Sequence, residues 1–261
     1  MRVQPIGTLR PVPVHEVALG FDSTAAAYER GRPDYPAAAV EALVEALAIG
    51  PASTVVDLGA GTGKLTRLLV PTGARVVAVE PLAGMRAELA RAVPGVEVLH
   101  GTAEAMPLGN GTADSVVAAQ AFHWFADDQS LNEIHRVLRP GGGLGLVWNV
   151  RDQSVPWVAR LTEILDRFAG DDVPRHRRDD WRGVLEHSPL FGPIEERHHP
   201  HRQVVDLRSI GDRVGSISFV AVLPERERHA VLDEVAALVA AQPAPVTIPY
   251  DTRVYWCRAR A

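Results

Sequence analysis

The sequence predicts an α/β protein built on a doubly wound, mostly parallel sheet. Two observations lead there. Short, nearly all-apolar runs recur between longer amphipathic segments, and a glycine cluster sits where the first such run gives way to a helix. Strands that are apolar on both faces belong to parallel sheets covered by helices on each side.

Residues 1–20 carry three prolines and no periodic pattern, so they read as an arm. A helix is expected over 21–35, around Ala25-Ala26-Ala27-Tyr28, ending before Pro33 and Pro36. Val40, Leu43, Val44 and Leu47 share one face of a second helix over 37–48, which Gly50-Pro51 ends. Strand–helix alternation follows. Strands are expected at 54–58, 75–79, 96–100, 114–119 and 143–148, and helices at 64–69, 81–92 and 128–138. After Trp148 the rhythm changes. Helices are expected at 157–168, 181–186, 206–219 and 225–241, with long strands at 194–205 and 246–258 and a charged loop at 175–180. No repeat or polar linker marks a second module. The chain therefore reads as one domain over 21–261, with a ligand-binding half at about 50–150 and cap elements at 21–48 and 151–245.

Composition narrows the function. Apolar residues make up 46% of the 261, enough for a substantial core, and no apolar run approaches the ~20 residues a membrane helix needs. The N-terminal stretch lacks the apolar segment of a signal peptide, so a cytoplasmic protein is expected. Cys257 is the sole cysteine, which excludes an internal disulfide. A formal charge of −5 argues against a general nucleic-acid binder. Lys64 is the only lysine, and arginine supplies every other basic side chain apart from histidine.

The chemistry starts at Asp57-Leu58-Gly59-Ala60-Gly61-Thr62-Gly63, where the first strand turns into a helix. Glycines there tolerate positive φ and let backbone approach a ligand, and a helix N-terminus offers unpaired N–H groups. A phosphate-binding P-loop needs Ser or Thr after the lysine, but Leu65 follows Lys64. A dinucleotide fingerprint needs glycine at its sixth position, where Lys64 stands. What remains is acidic-x-Gly-x-Gly-x-Gly. Glu80 ends the second strand about twenty residues on, the place from which an acidic side chain accepts both hydroxyls of a ribose.

This pattern resembles motif I of class I S-adenosylmethionine-dependent methyltransferases. The likeness continues through Gly101-Thr102-Ala103-Glu104-Ala105-Met106-Pro107-Leu108, Ala118-Ala119-Gln120-Ala121-Phe122-His123-Trp124-Phe125, and Glu133-Ile134-His135-Arg136-Val137-Leu138-Arg139-Pro140-Gly141-Gly142. With the leading Tyr28-Glu29-Arg30-Gly31-Arg32-Pro33-Asp34-Tyr35-Pro36, the chain looks like the type 11 small-molecule group, which includes trans-aconitate-methyltransferase-like proteins. The resemblance implies seven strands, the last antiparallel and inserted beside the fifth, with cap helices over the acceptor. It implies S-adenosyl-L-methionine as cofactor and a small-molecule acceptor methylated on O, N or C. It also implies residue roles. Asp57, Gly59, Ala60 and Gly61 form the cofactor loop, with Gly59 and Gly61 beneath the methionine moiety, and Glu80 holds the ribose. Pro81 and Leu82 flank adenine, Ala103 offers its N–H to it, and Gln120 and Ala121 lie near the methionine end. Tyr28 and Arg32 close over the cofactor, with Arg32 meeting its carboxylate. Thr102 stands where many relatives have Asp, so it is a weaker acceptor for the adenine amino group.

His123 is the candidate general base, since histidine titrates near neutral pH. The competing reading makes Phe122-His123-Trp124-Phe125 simply an aromatic wall. Trp148, Asn149, Arg151 and Asp152 follow the fifth strand, within reach of an acceptor; Arg151 suits an anion or a surface ion pair. His198, His199 and His201 read as an exposed edge strand rather than a metal site, for no third ligand is evident. The residues choosing the acceptor are expected around Ser216, Ser218 and Phe219. Two functional alternatives stay open: a cofactor-binding protein with non-methylating chemistry, and a non-catalytic partner.

Overall fold

The computed structural model describes residues 16–169 and 180–260. The basic run 175–178 thus lies outside the described residues, as do positions 1–15. Seven strands form one sheet in the order β3-β2-β1-β4-β5-β7-β6. These are β1 (Thr54–Leu58), β2 (Arg75–Val79), β3 (Glu97–Leu99), β4 (Ala113–Ala119), β5 (Leu138–Arg151), β6 (Glu195–Val205) and β7 (Val246–Arg258). The pairs from β3 through β5 are parallel, whereas β7 runs antiparallel to both β5 and β6. This is the seven-stranded topology that the resemblance implies.

The first half is dictated locally. Val55, Val56, Asp57 and Leu58 of β1 are all buried, as the apolar run requires. Helix α1 (Gly20–Gly31) stops before Pro33, and α2 (Ala37–Leu47) opens behind Pro36 and closes on left-handed Ala48. Further helices are α3 (Thr66–Leu69), α4 (Ala83–Ala92) and α5 (Asp128–Val137), the last capped by the Asp127 carboxylate on the Ser130 N–H. In the second half α6 (Pro156–Asp166), α8 (Leu207–Gly215), α9 (Ser218–Ala221) and α10 (Glu225–Ala240) form a cap with its own core of Val158, Leu161, Ile210, Val214, Val231 and Val235. Helix α7 (Trp181–His187) lays Trp181 on Trp148 of the sheet, ring centroids 4.6 Å apart.

Three expectations need correction. Helical structure begins at Glu16, inside the segment expected to be an arm, because a 3-10 turn over Glu16–Leu19 leads directly into α1. Strand β5 starts at Leu138 rather than 143 and ends at Arg151; Leu138 pairs with Ala113, residues 139–142 form an irregularity with Gly141 left-handed, and regular pairing resumes at Gly143. Helix α3 is one turn long, since the glycine loop persists through Leu65.

Helix α1 is clasped to the cap. Arg30 donates two hydrogen bonds to Asp212, at 2.8 and 2.9 Å, and Gln203 Nε2 reaches the Gly31 carbonyl at 2.8 Å. A Cβ at Gly31 would lie 2.3 Å from the Arg213 backbone nitrogen. Backbone cannot yield as a flexible side chain does, so Gly31→Ala is expected to destabilise the fold by about 2–3 kcal/mol. Chemical denaturation checks this; an unchanged midpoint would show that α1 does not need this approach.

Candidate active site

The sheet's strand order reverses between β1 and β4, and ligands of doubly wound sheets bind outside the carboxyl ends of strands at that point. A cavity opens there. Nine of the expected cofactor residues line it: Tyr28, Gly59, Gly61, Glu80, Pro81, Thr102, Ala103, Gln120 and Ala121. The loop glycines divide the work. Gly59 (φ 66°) and Gly61 (φ 57°) both take the left-handed conformation. A Cβ on Gly59 would press on Ala121 at 2.9 Å, while one on Gly61 would meet nothing within 4 Å. Gly61 therefore leaves open space in the cavity wall. Gly63 serves packing instead: its Cβ would strike Leu89 of α4 at 2.9 Å.

Glu80 is 5% exposed. One carboxylate oxygen accepts from the Gly61 N–H and the other from the Leu82 N–H, each at 2.9 Å. A carboxylate offers about four acceptor sites, so two remain for hydroxyl groups. Burial pushes this carboxyl up to about 7, against the lowering pull of those N–H bonds and Arg86. Thr102 supplies a buried hydroxyl, Oγ1, with no hydrogen-bond partner among the described residues. An unsatisfied polar atom in a cavity wall is free to bond a ligand there. Pro81, Leu82 and Met85 form an apolar side, and Phe21, Trp124 and Phe125 add aromatic walls. Phe21 packs edge-on against both Tyr28 and Trp124.

Gln120 holds the left-handed region at φ 57°, which a non-glycine residue seldom adopts. Its N–H still bonds the Val147 carbonyl at 2.8 Å, so β5 holds the turn in place. Strained backbone of this kind concentrates at functional sites.

Three expected cofactor residues sit elsewhere. Asp57 lies beneath the loop, 1% exposed, accepting from Thr66 Oγ1 at 2.5 Å; burial pushes its carboxyl up to about 6. Ala60 packs with Ala78, Leu89 and Val93 behind the loop. Arg32 lines a second cavity, together with Phe21, Tyr28, Gln120, His123, Trp124, Trp148, Asn149, Arg151, Asp166, Arg213, Ser218 and Phe219. Asp152 does not line it; its carboxylate accepts the Ser154 N–H at 2.9 Å. Neither does Ser216, whose side chain is fully buried against Arg32 and Arg213. The Trp148 indole N–H donates to His123 Nδ1 at 3.4 Å. Neutral His123 with that bond in place carries its proton on Nε2.

Sequence reasoning missed Arg213, which comes from a cap helix with no motif around it. It missed Lys64 as well. Lys64 is 8% exposed; its ammonium meets Asp34 at 2.9 Å and Glu29 at 3.8 Å. Glu29 also bonds Arg67 and accepts from Thr62 Oγ1 at 2.5 Å. Helix α1 is thereby pinned to the glycine loop. Among the described residues no group of three or more His, Cys, Asp or Glu side chains is placed to hold a metal ion. His198 instead pairs with Asp251 at 2.8 Å. No described helix is long and apolar enough to cross a membrane.

Open space at Gly61, spare acceptor sites on Glu80 and the orphaned Thr102 hydroxyl suit an adenosine-bearing ligand with a tail over the loop, which is the shape of S-adenosylmethionine. Fold and site together define a class I methyltransferase. Comparison with known proteins agrees. Residues 56–146 match the methyltransferase domain family. An uncharacterized methyltransferase of Mycobacterium tuberculosis is 41% identical over 242 residues, covering 91% of this chain and 94% of that one. An uncharacterized methyltransferase-like protein of Schizosaccharomyces pombe is 35% identical, covering 84% and 86%. The solved structure of a putative type II methyltransferase from Anaeromyxobacter dehalogenans superposes with a TM-score of 0.60 at 29% identity, covering 88% and 97%. The chain belongs to the S-adenosylmethionine-dependent methyltransferase family.

Proposed function

We propose that the chain methylates a small organic molecule held in the second cavity. The observation carrying this reading is the wall the two cavities share: Phe21, Tyr28, Gln120 and Trp124 line both. When bound, the cofactor supplies an electrophilic sulfonium methyl. The protein's task is to align an acceptor with it and keep water out. Phe21, Tyr28 and Trp124 stand at the shared wall as the water-excluding groups, and Gln120 fixes the turn between the two compartments. The aromatic rings of Trp148 and Phe219 and the helices of the cap support a small organic acceptor over a phosphodiester chain.

His123 lines the second cavity, which supports a role for it toward the acceptor's proton. Its bond from Trp148 favours the tautomer protonated on Nε2, which supports an orienting hydrogen-bond donor at that atom. A base role at Nδ1 needs release from the indole.

Incubation with methyl-labelled S-adenosylmethionine and a small-molecule acceptor panel tests the reading. Label is expected in the low-molecular-weight fraction, matched by S-adenosylhomocysteine. Label confined to protein or nucleic acid, or none at all, would sink it.

A further inference from the structure

We propose that Trp181 is a positioning residue for His123: it holds the Trp148 indole on Nδ1 of that imidazole and so keeps Nε2 as the protonated atom. The proposal rests on reading the second cavity, which His123 lines, as the acceptor's chamber.

The bond to be held is a long one. Trp148 Nε1–H donates to His123 Nδ1 at 3.4 Å, near the outer limit for an N–H donor. A hydrogen bond of that length fails on a small tilt of either ring. Packing prevents the tilt, because a close-packed interior leaves a planar ring little room to turn. Trp148 is 1% exposed and Trp181 4%. Their ring centroids lie 4.6 Å apart with the planes tilted by 33°. Tyr255 closes the corner, edge-on to Trp148 at 5.8 Å and to Trp181 at 5.0 Å.

Trp181 supports the other partner too. It packs edge-on against Phe122, centroids 6.3 Å apart. Phe122 is fully buried and directly precedes His123 in the 3-10 turn Phe122–Trp124. One indole therefore lies against both the donor ring and the neighbour that anchors the accepting ring. Trp181 is itself fixed from behind. It opens α7, where the Asp180 carboxylate accepts the Gly183 N–H at 2.9 Å. The adjacent Arg182 bonds Glu196 of β6 at 2.7 Å. Trp181 lines neither the cofactor cavity nor the second one, so it acts on His123 through packing.

The chemical consequence is a choice of role. With Nδ1 occupied as an acceptor, the neutral ring offers an N–H from Nε2 and not a lone pair. His123 then orients an acceptor atom by donating to it.

Histidine nitrogen NMR on the full chain, without cofactor or acceptor, reads the tautomer directly. It is recorded at about pH 8.5, where an ordinary imidazole is neutral, and His123→Asn identifies the signal. Wild-type His123 is expected with Nδ1 unprotonated. In Trp181→Leu the Trp148 indole gains room, and the Nδ1-protonated form should rise about fivefold, as the loss of one hydrogen bond predicts. Trp148→Phe, which removes the donor, should give the same rise. Should Trp181→Leu fail to fold, Trp181→Phe is read instead, with about a twofold rise expected from its smaller gap. A wild-type ring protonated mainly on Nδ1 would overturn the proposal. So would a wild-type ratio in Trp148→Phe or in the folded Trp181 variant. Neither ligand enters these measurements, so a lack of methyl transfer would count against the reaction and leave the held tautomer standing.

Discussion

Glu80→Ala is expected to weaken S-adenosylhomocysteine binding by roughly a hundredfold or more. Two hydrogen bonds to a charged acceptor are lost, each worth about 1.5–3 kcal/mol. The loop suffers as well, because the same carboxylate holds the Gly61 and Leu82 N–H groups. Glu80→Gln offers no clean rescue: both oxygens face backbone donors, so one donor would meet the new NH₂. The pH dependence is distinctive. Hydroxyl donors need the ionised carboxylate, and Glu80 sits at about 7. Only about a tenth of it is ionised at pH 6 and about nine tenths at pH 8, so affinity should rise about tenfold across that range. Stability runs the opposite way. A carboxyl raised in the folded state binds more protons there than when unfolded, so its contribution falls as pH climbs from the ordinary glutamate range towards 7. Asp57, raised to about 6, adds a fall of the same sign over a lower window. Calorimetry from pH 6 to 8 checks the affinity. A flat wild-type profile, or unchanged affinity in Glu80→Ala, would remove Glu80 from the ribose.

Gly61→Ala should separate binding from folding. The added methyl meets no protein atom within 4 Å, so the fold bears only the left-handed strain, about 1 kcal/mol. The methyl nevertheless projects into the space through which backbone approaches the ligand. A near-native melting temperature is expected, with affinity for S-adenosylhomocysteine lower by on the order of a hundredfold. Undiminished binding would show that the ligand does not pass over Gly61.

The sequence-level reading succeeds where structure is local. Residues 54–58, 75–79 and 246–258 are strands at the very boundaries their apolar runs mark. Glycine spacing and the position of Glu80 lead to one cavity at the strand ends, because turn chemistry and strand ends fix both within one supersecondary unit. It fails where a distant partner decides. The fifth strand is expected to end at Trp148, yet it runs on to Arg151, where its residues pair with β7 about a hundred positions on. Asp57 looks like a ligand contact, yet its side chain points under the loop to Thr66. Arg213 is illegible because nothing near it in sequence announces burial. Only the packing of α8 against Gly31 brings it beside Arg32.

The clasp between α1 and the glycine loop has a practical corollary. The one lysine in the chain lies at that contact, its ammonium 3.8 Å from Glu29 of α1 and 2.9 Å from Asp34 just beyond the helix. Its side chain is only 10% exposed, so slow acylation of this amine is expected in the folded protein, and lysine labelling followed by mass spectrometry checks it. Side-chain amine reactivity, usually spread over a whole surface, is here confined to a single partly shielded position. The rate of that single acylation would therefore time any opening of the contact between α1 and the glycine loop.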